Sequence, residues 1–152
     1  MRLLDSLKKE FILPDMEFSE KHQVLEALVE PLTKISGTTR EELMRVLLER
    51  ERLGSTGIGG GIAIPHGKLN AIDNLLLTFG RSRKGIDFDA MDGRPTHIFF
   101  MLITPEGFTG LHLKVLARIS RLLKDGSFKE RLMAAATRDD LYQVIESEDS
   151  EF

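Results

Sequence analysis

The chain has 152 residues, 41% hydrophobic and 30% charged, and 21 basic side chains against 24 acidic ones leave a formal charge of −3. That length fits one domain, able to bury roughly two-thirds of the surface its unfolded chain exposes. Its near-neutral balance without a basic block argues against nucleic acid as a partner. The absence of cysteine excludes disulfides, a thiolate nucleophile and cysteine metal sites, and suits a cytoplasmic location. No signal peptide is visible and no apolar run approaches the ~20 residues of a membrane span, so no direct membrane insertion is expected.

Leu3, Leu4 and Leu7 predict a short opening helix that ends at Phe11-Ile12-Leu13-Pro14. Ser19 is the expected N-cap of a helix whose apolar face is Val24, Leu25, Leu28 and Val29, and Pro31 should end or kink it. Thr39 and Glu42 read as a capping box opening a helix to about Arg52. The run from Gly54 to Gly61 reads as a loop, because glycine holds neither helix nor strand cheaply. Ile62-Ala63-Ile64 is a short strand stopped by Pro65, His66 and Gly67; Leu75 to Phe79 and His97 to Thr104 are two further apolar strands. Helical spacing returns from Gly110 to about Lys124 and stops at Asp125-Gly126, then resumes from Phe128 to Ala136. Thr137 with Asp140 caps a last helix carrying Leu141, Val144 and Ile145, and residues 147–152 form an acidic tail expected to fray. Without repeat or linker, residues 1–152 form a single α/β domain, a mixed, mostly parallel sheet flanked by helices.

Several signatures fail on spacing. A Walker A loop needs four residues between its first glycine and Gly-Lys; five separate Gly61 from Gly67-Lys68, and Leu69 replaces the hydroxyl residue. The dinucleotide pattern begun by Gly57 and Gly59 meets Ile62 where a third small residue belongs. Asp87, Asp89 and Asp92-Gly93 are turn residues, since Ile98 stands where a calcium loop needs Glu. No serine-hydrolase or zincin signature occurs, and neither a metal nor a cofactor is expected.

Four histidines remain. His22 reads as solvated in a first helical turn, and His97 as a strand-end hydrogen-bonding residue. His66 follows a strand directly, where ligands collect in open α/β sheets. His112 stands in the first turn of a helix, whose positive end disfavours a further proton. A neutral imidazole can attack a phosphoryl group, and the product needs donors around its oxygens. A second imidazole, a guanidinium and the amides of a glycine loop would supply them.

The string from Glu49 to Lys68, Glu-Arg-Glu-Arg-Leu-Gly-Ser-Thr-Gly-Ile-Gly-Gly-Gly-Ile-Ala-Ile-Pro-His-Gly-Lys, resembles the phosphorylation-site signature of EIIA domains of the fructose/mannitol type in the bacterial phosphotransferase system, and most of all the nitrogen-regulatory EIIA proteins. The resemblance extends to Ile86–Gly93 and to the helix beginning His112-Leu113. It implies that His66 is the phosphoryl acceptor, that His112 hydrogen-bonds the phosphoryl group without being phosphorylated, and that Arg50 neutralises it, with Arg52 close enough to exchange roles. Backbone at Ser55, Thr56, Gly57 and Gly59 is expected to line the phosphate loop. At Gly60, where many nitrogen-type members carry Asn, only backbone contacts remain. The resemblance further implies a phosphorylated HPr, or its nitrogen-branch counterpart, as donor. Regulatory target proteins would receive the signal; in the sugar-transport alternative an EIIB receives the phosphate. A binding module that transfers nothing is the third reading.

Overall fold

The computed structural model describes every residue except Ser36. The opening residues form 3-10 turns at Leu3–Asp5 and Lys9–Phe11 in place of the predicted helix, and lead into the two-residue strand β1 (Ile12–Leu13). Helix α1 (Lys21–Val29) buries Val24, Leu25, Leu28 and Val29. Its N-cap is Glu20 rather than Ser19; the Ser19 amide is met by Gln23 Oε1 at 3.0 Å. Pro31, which has no amide to give the helix, sits in a 3-10 turn at Glu30–Leu32. Helix α2 (Arg40–Arg52) starts as predicted, with Thr39 Oγ1 accepting from the Glu42 amide.

Five strands follow: β2 (Gly57–Gly59), β3 (Ile62–Ala63), β4 (His66–Leu69), β5 (Leu76–Ile86) and β6 (Thr96–Pro105). Two of them correct the sequence reading. The glycine run is a hairpin rather than a loop, β2 pairing antiparallel with β3. Gly59, Gly60 and Gly61 reverse the chain at φ of 93°, 67° and 80°, a region that a side chain would penalise. His66 and Gly67 do not end a strand but open β4. Pro65 interrupts the run, yet its carbonyl still accepts from Leu102 N at 2.9 Å, so β3 and β4 both lie parallel to β6 across the break. Strand β5 also runs past the predicted Phe79, because Gly80 and Arg81 stay paired to β6 and Ile86 pairs with Thr96 beyond an irregular stretch.

The sheet order is β1-β5-β6-β3-β2, with β4 also on β6. Three pairings are parallel and two antiparallel, so the sheet is mixed as expected, although its longest ladder, β5 with β6, is antiparallel. Helices α3 (Thr109–Leu123), α4 (Gly126–Ala134) and α5 (Arg138–Glu148) complete the chain. Helix α4 starts two residues before the predicted Phe128 because Asp125 caps it through the Ser127 amide at 2.9 Å. Thr137 caps α5 through the Asp140 amide.

Adjacent residues of β5 show where the layers lie, since successive strand residues face opposite ways. A Cβ on Gly80 would stand 3.1 Å from Leu28 Cδ2 of α1. The next residue, Arg81, is fully buried and donates to the carbonyls of Leu132 (2.9 Å) and Ala135 at the end of α4. Helices α1 and α4 therefore cover opposite faces of the sheet. Between them lie edge-on pairs Phe79–Phe100 and Phe88–Phe99, with ring centroids 4.9 and 5.4 Å apart; each such ring stabilises the fold by roughly 1.5–3 kcal/mol through burial. The tail, predicted to fray, is bonded to the N-terminus. Asp149 accepts from the amides of Leu3 (3.0 Å) and Leu4 (2.9 Å), and Phe152 N donates to Met1 O at 2.9 Å.

Candidate functional site

His66 is the first residue of β4, held by its own chain. Its Nδ1 lies 2.8 Å from the carbonyl of Ile64, which can only accept, so Nδ1 carries the proton and Nε2 keeps a lone pair. Arg50 Nε donates to that Nε2 at 3.2 Å. Arg50 reaches it from the last turn of α2, with its other arm bonded from Nη1 to Gly54 O at 2.8 Å. Burial pushes the His66 imidazole below its ordinary pKa and the Arg50 charge adds to this, while the Ile64 carbonyl and the Glu51 carboxylate act the other way. The ring is therefore neutral near pH 7.

His112 belongs to the first turn of α3. The turn at Pro105–Phe108 lays that helix start over the end of β6, Phe108 N donating to Pro105 O at 3.0 Å. His112 is 4% exposed, with Nδ1 2.5 Å from Thr104 Oγ1. Its ring centroid is 5.5 Å from that of His66 at an interplanar angle of 57°. Burial, followed by the coupling to the His66 ring and the Lys68 ammonium, pushes its pKa down to about 4.

Both rings border a cavity of about 640 Å³ whose polar lining includes Arg45, Glu49, Arg50 and Lys68, with Leu53 and Leu113 on its rim. Those two leucines are 84% and 61% exposed, apolar surface bordering the same cavity as His66. The cavity thus combines two neutral imidazoles, a fixed guanidinium and an ammonium, a set chemically suited to holding a dianionic phosphoryl group.

The structure brings His66, His112 and Arg50 together and separates Arg52, which is exposed and does not line the cavity. Ser55, Thr56, Gly57 and Gly59, expected to line a phosphate loop, do not line the cavity either. Their groups are consumed in building the hairpin. Thr56 N donates to Glu51 Oε1 at 3.1 Å and Thr56 Oγ1 bonds the same carboxylate. Gly57 N donates to Ser55 Oγ at 3.0 Å, and Ser55 Oγ donates to Phe88 O at 2.9 Å. His97 Nδ1 meets Ser82 O at 2.9 Å, and His22 is half exposed beside Glu26; both keep the structural roles read from sequence. Three residues were missed. Lys68 lies inside the matched string and donates to Thr109 Oγ1 at 3.1 Å. Glu51 and Thr104 carry no local signal, being an ordinary helix glutamate and an ordinary strand threonine until packing buries them.

Comparison with known proteins gives the class. Residues 5–148 match the family described as phosphoenolpyruvate-dependent sugar phosphotransferase system, EIIA 2, and the chain belongs to that family. Its relatives include a nitrogen regulatory protein of Bradyrhizobium diazoefficiens, 39% identical over 145 residues that span 95% of each chain. A fructose-specific EIIABC component of Bacillus subtilis is 36% identical over 150 residues, 98% of this chain but 24% of that longer protein. Among solved structures, the nitrogen regulatory protein IIA-Ntr of Neisseria meningitidis superposes with a TM-score of 0.88 at 33% identity, covering 93% of this chain and 97% of that one. The mannitol IIA of Escherichia coli shares the fold, with a TM-score of 0.76 at 22% identity over 92% of this chain and 99% of that one. Among the described residues no helix is long and apolar enough to cross a membrane.

Proposed function

We propose that this protein is a cytoplasmic phosphohistidine carrier that takes its phosphoryl group from phosphorylated HPr, or a nitrogen-branch HPr homologue, onto His66 Nε2. The observation that carries this reading is the protonation pattern of His66: Nδ1–H spent on Ile64 O and Nε2 left as a lone pair that accepts from Arg50. In the step, the Nε2 lone pair forms the new N–P bond as the donor's N–P bond breaks, and the donor nitrogen keeps that electron pair. Nδ1 retains its proton throughout, so no general base is needed. Arg50 shifts from Nε2 to the arriving phosphoryl oxygens, His112 and Lys68 face the same charge, and no metal enters the step.

The output is regulatory. A phosphoryl group adds about −2 charges between Leu53 and Leu113, which changes which partner surface can dock there. Similarity to nitrogen regulatory proteins along nearly the whole chain favours this role. The second reading, transfer to an EIIB in sugar transport, draws on the 36% identity to the fructose-specific EIIABC component.

The test incubates the protein with phosphorylated HPr and follows acid-labile phosphate. Wild type takes up label, His66→Ala takes none, His112→Ala is slowed, and His97→Ala and Arg52→Ala match wild type. A wild type without label overturns the carrier reading and leaves a binding module. Discharge of the labelled protein onto a fructose-type EIIB faster than it hydrolyses moves the assignment to sugar transport.

A further inference from the structure

Thr104 is fully buried, and its place in the sheet is fixed by the site itself: β4 and β6 pair His66 with Leu102 and Lys68 with Thr104. Among the described residues its hydroxyl has one hydrogen-bond partner, His112 Nδ1. That partnership decides where the proton of His112 sits. A neutral imidazole has one N–H and one lone pair, and the bond made by one nitrogen sets the state of the other. If Nδ1 carried the proton, the Thr104 oxygen would accept it and the hydroxyl hydrogen would be left in the core without an acceptor. If Nδ1 is the acceptor, the hydroxyl hydrogen is used and the imidazole proton moves to Nε2.

Resting on the carrier reading above, we infer that Thr104 is a positioning residue that donates to His112 Nδ1 and thereby holds His112 as its Nε2–H tautomer, aimed at the phosphoryl group on His66. This tautomer does two things. It offers a hydrogen to the phosphoryl oxygens where the other would present a repelling lone pair. It also blocks the Nε2 lone pair of His112, the one ring nitrogen that is not held by Thr104, so that of two imidazoles with centroids 5.5 Å apart only His66 acts as a nucleophile. The burial that keeps His112 neutral is a condition for this choice, since a protonated ring would donate from both nitrogens. Two similar histidines are thus given unlike roles by unlike backbone and hydroxyl partners: a carbonyl fixes His66 as Nδ1–H, and a hydroxyl fixes His112 as Nε2–H.

The experiment labels histidine with nitrogen-15 and reads ring-nitrogen shifts by long-range proton–nitrogen correlation on the unphosphorylated full chain near neutral pH. Wild-type His112 is expected as Nε2–H and His66 as Nδ1–H. Thr104→Val, which keeps the volume and removes the hydroxyl, is expected to admit the Nδ1–H form of His112 and to slow phosphoryl uptake by about tenfold or more. Thr104→Ser is expected to restore both. A wild-type His112 found as Nδ1–H overturns the assignment, as does a Thr104→Val protein with wild-type tautomer and uptake. The tautomer is read without phosphate, so wild type that takes no label overturns the carrier reading alone and leaves the Thr104 assignment to be decided by the spectra.

Discussion

A neutral histidine in the core couples stability to pH. His112 has a folded pKa of about 4 against an ordinary 6.5, so below about pH 6.5 the unfolded chain binds a proton that the folded one refuses. The stabilisation is fully present above 6.5 and lost as pH falls toward 4, roughly 3 kcal/mol in all. His66 acts in the same direction. Urea unfolding at pH 7.5 and pH 5 should therefore show a fall in stability for wild type and a clearly smaller one for His112→Gln; equal falls would mean that other groups set the acid limit. At this scale the sequence was informative where chemistry is rare. His66 and His112 stand out by their places after a strand and at a helix start, and Arg50 through the resemblance; the structure sets all three around one cavity. Thr104 does not stand out, because a threonine near the end of an apolar strand has many uses and only the fold shows that its hydroxyl meets an imidazole.

Between α2 and the sheet, placement depends on a close approach and a buried charge. Gly67 lets α2 approach β4, since a Cβ there would stand 3.3 Å from Val46 Cγ2, and this brings Arg50 to His66. The turn after α2 is held by Glu51, whose carboxylate receives Thr56 N and Thr56 Oγ1 and Lys21 Nζ at 2.9 Å from α1. Lys21→Met strands that carboxylate, its side chain 5% exposed, and should cost about 2 kcal/mol, with Glu51→Gln in the same chain recovering part of it. Chemical denaturation of the two single variants and the double variant gives the coupling; additive effects would refute it. Elements were legible where caps and periodicity are local, as at Thr39 for α2 and Thr137 for α5. They were not legible where pairing is supplied by a distant partner. Strand β4 begins at a histidine between a proline and a glycine and exists because β6 offers it a ladder; Gly80, Arg81 and Ile86 of β5 are held by β6 in the same way. The glycines of β2 read as a loop because their hairpin conformation depends on φ values that other residues avoid, and pairing partners are not written in composition.

Over the whole molecule the two chain ends close on each other. Met1 N, the Leu3 and Leu4 amides, Asp149, Glu151 and Phe152 form one bonded group. Asp149→Ala leaves two amides without their acceptor and should lower stability by about 1–2 kcal/mol, or the melting midpoint by about 3–6 °C. Calorimetry checks this, and an unchanged midpoint would make the closure incidental. The tail reads as frayed from its acidity, whereas Asp149 serves as the acceptor for the half-buried amides of Leu3 and Leu4.

This closure has a topological consequence. Because the first and last residues meet, with Phe152 N 2.9 Å from Met1 O, a short linker can join them and new ends can be cut at the exposed turn Lys124–Asp125, between α3 and α4, giving a circular permutant with the same sheet. For the same reason the unit can be spliced into a longer polypeptide through a single entry and exit point, as a guest domain that leaves the host chain's path almost unchanged.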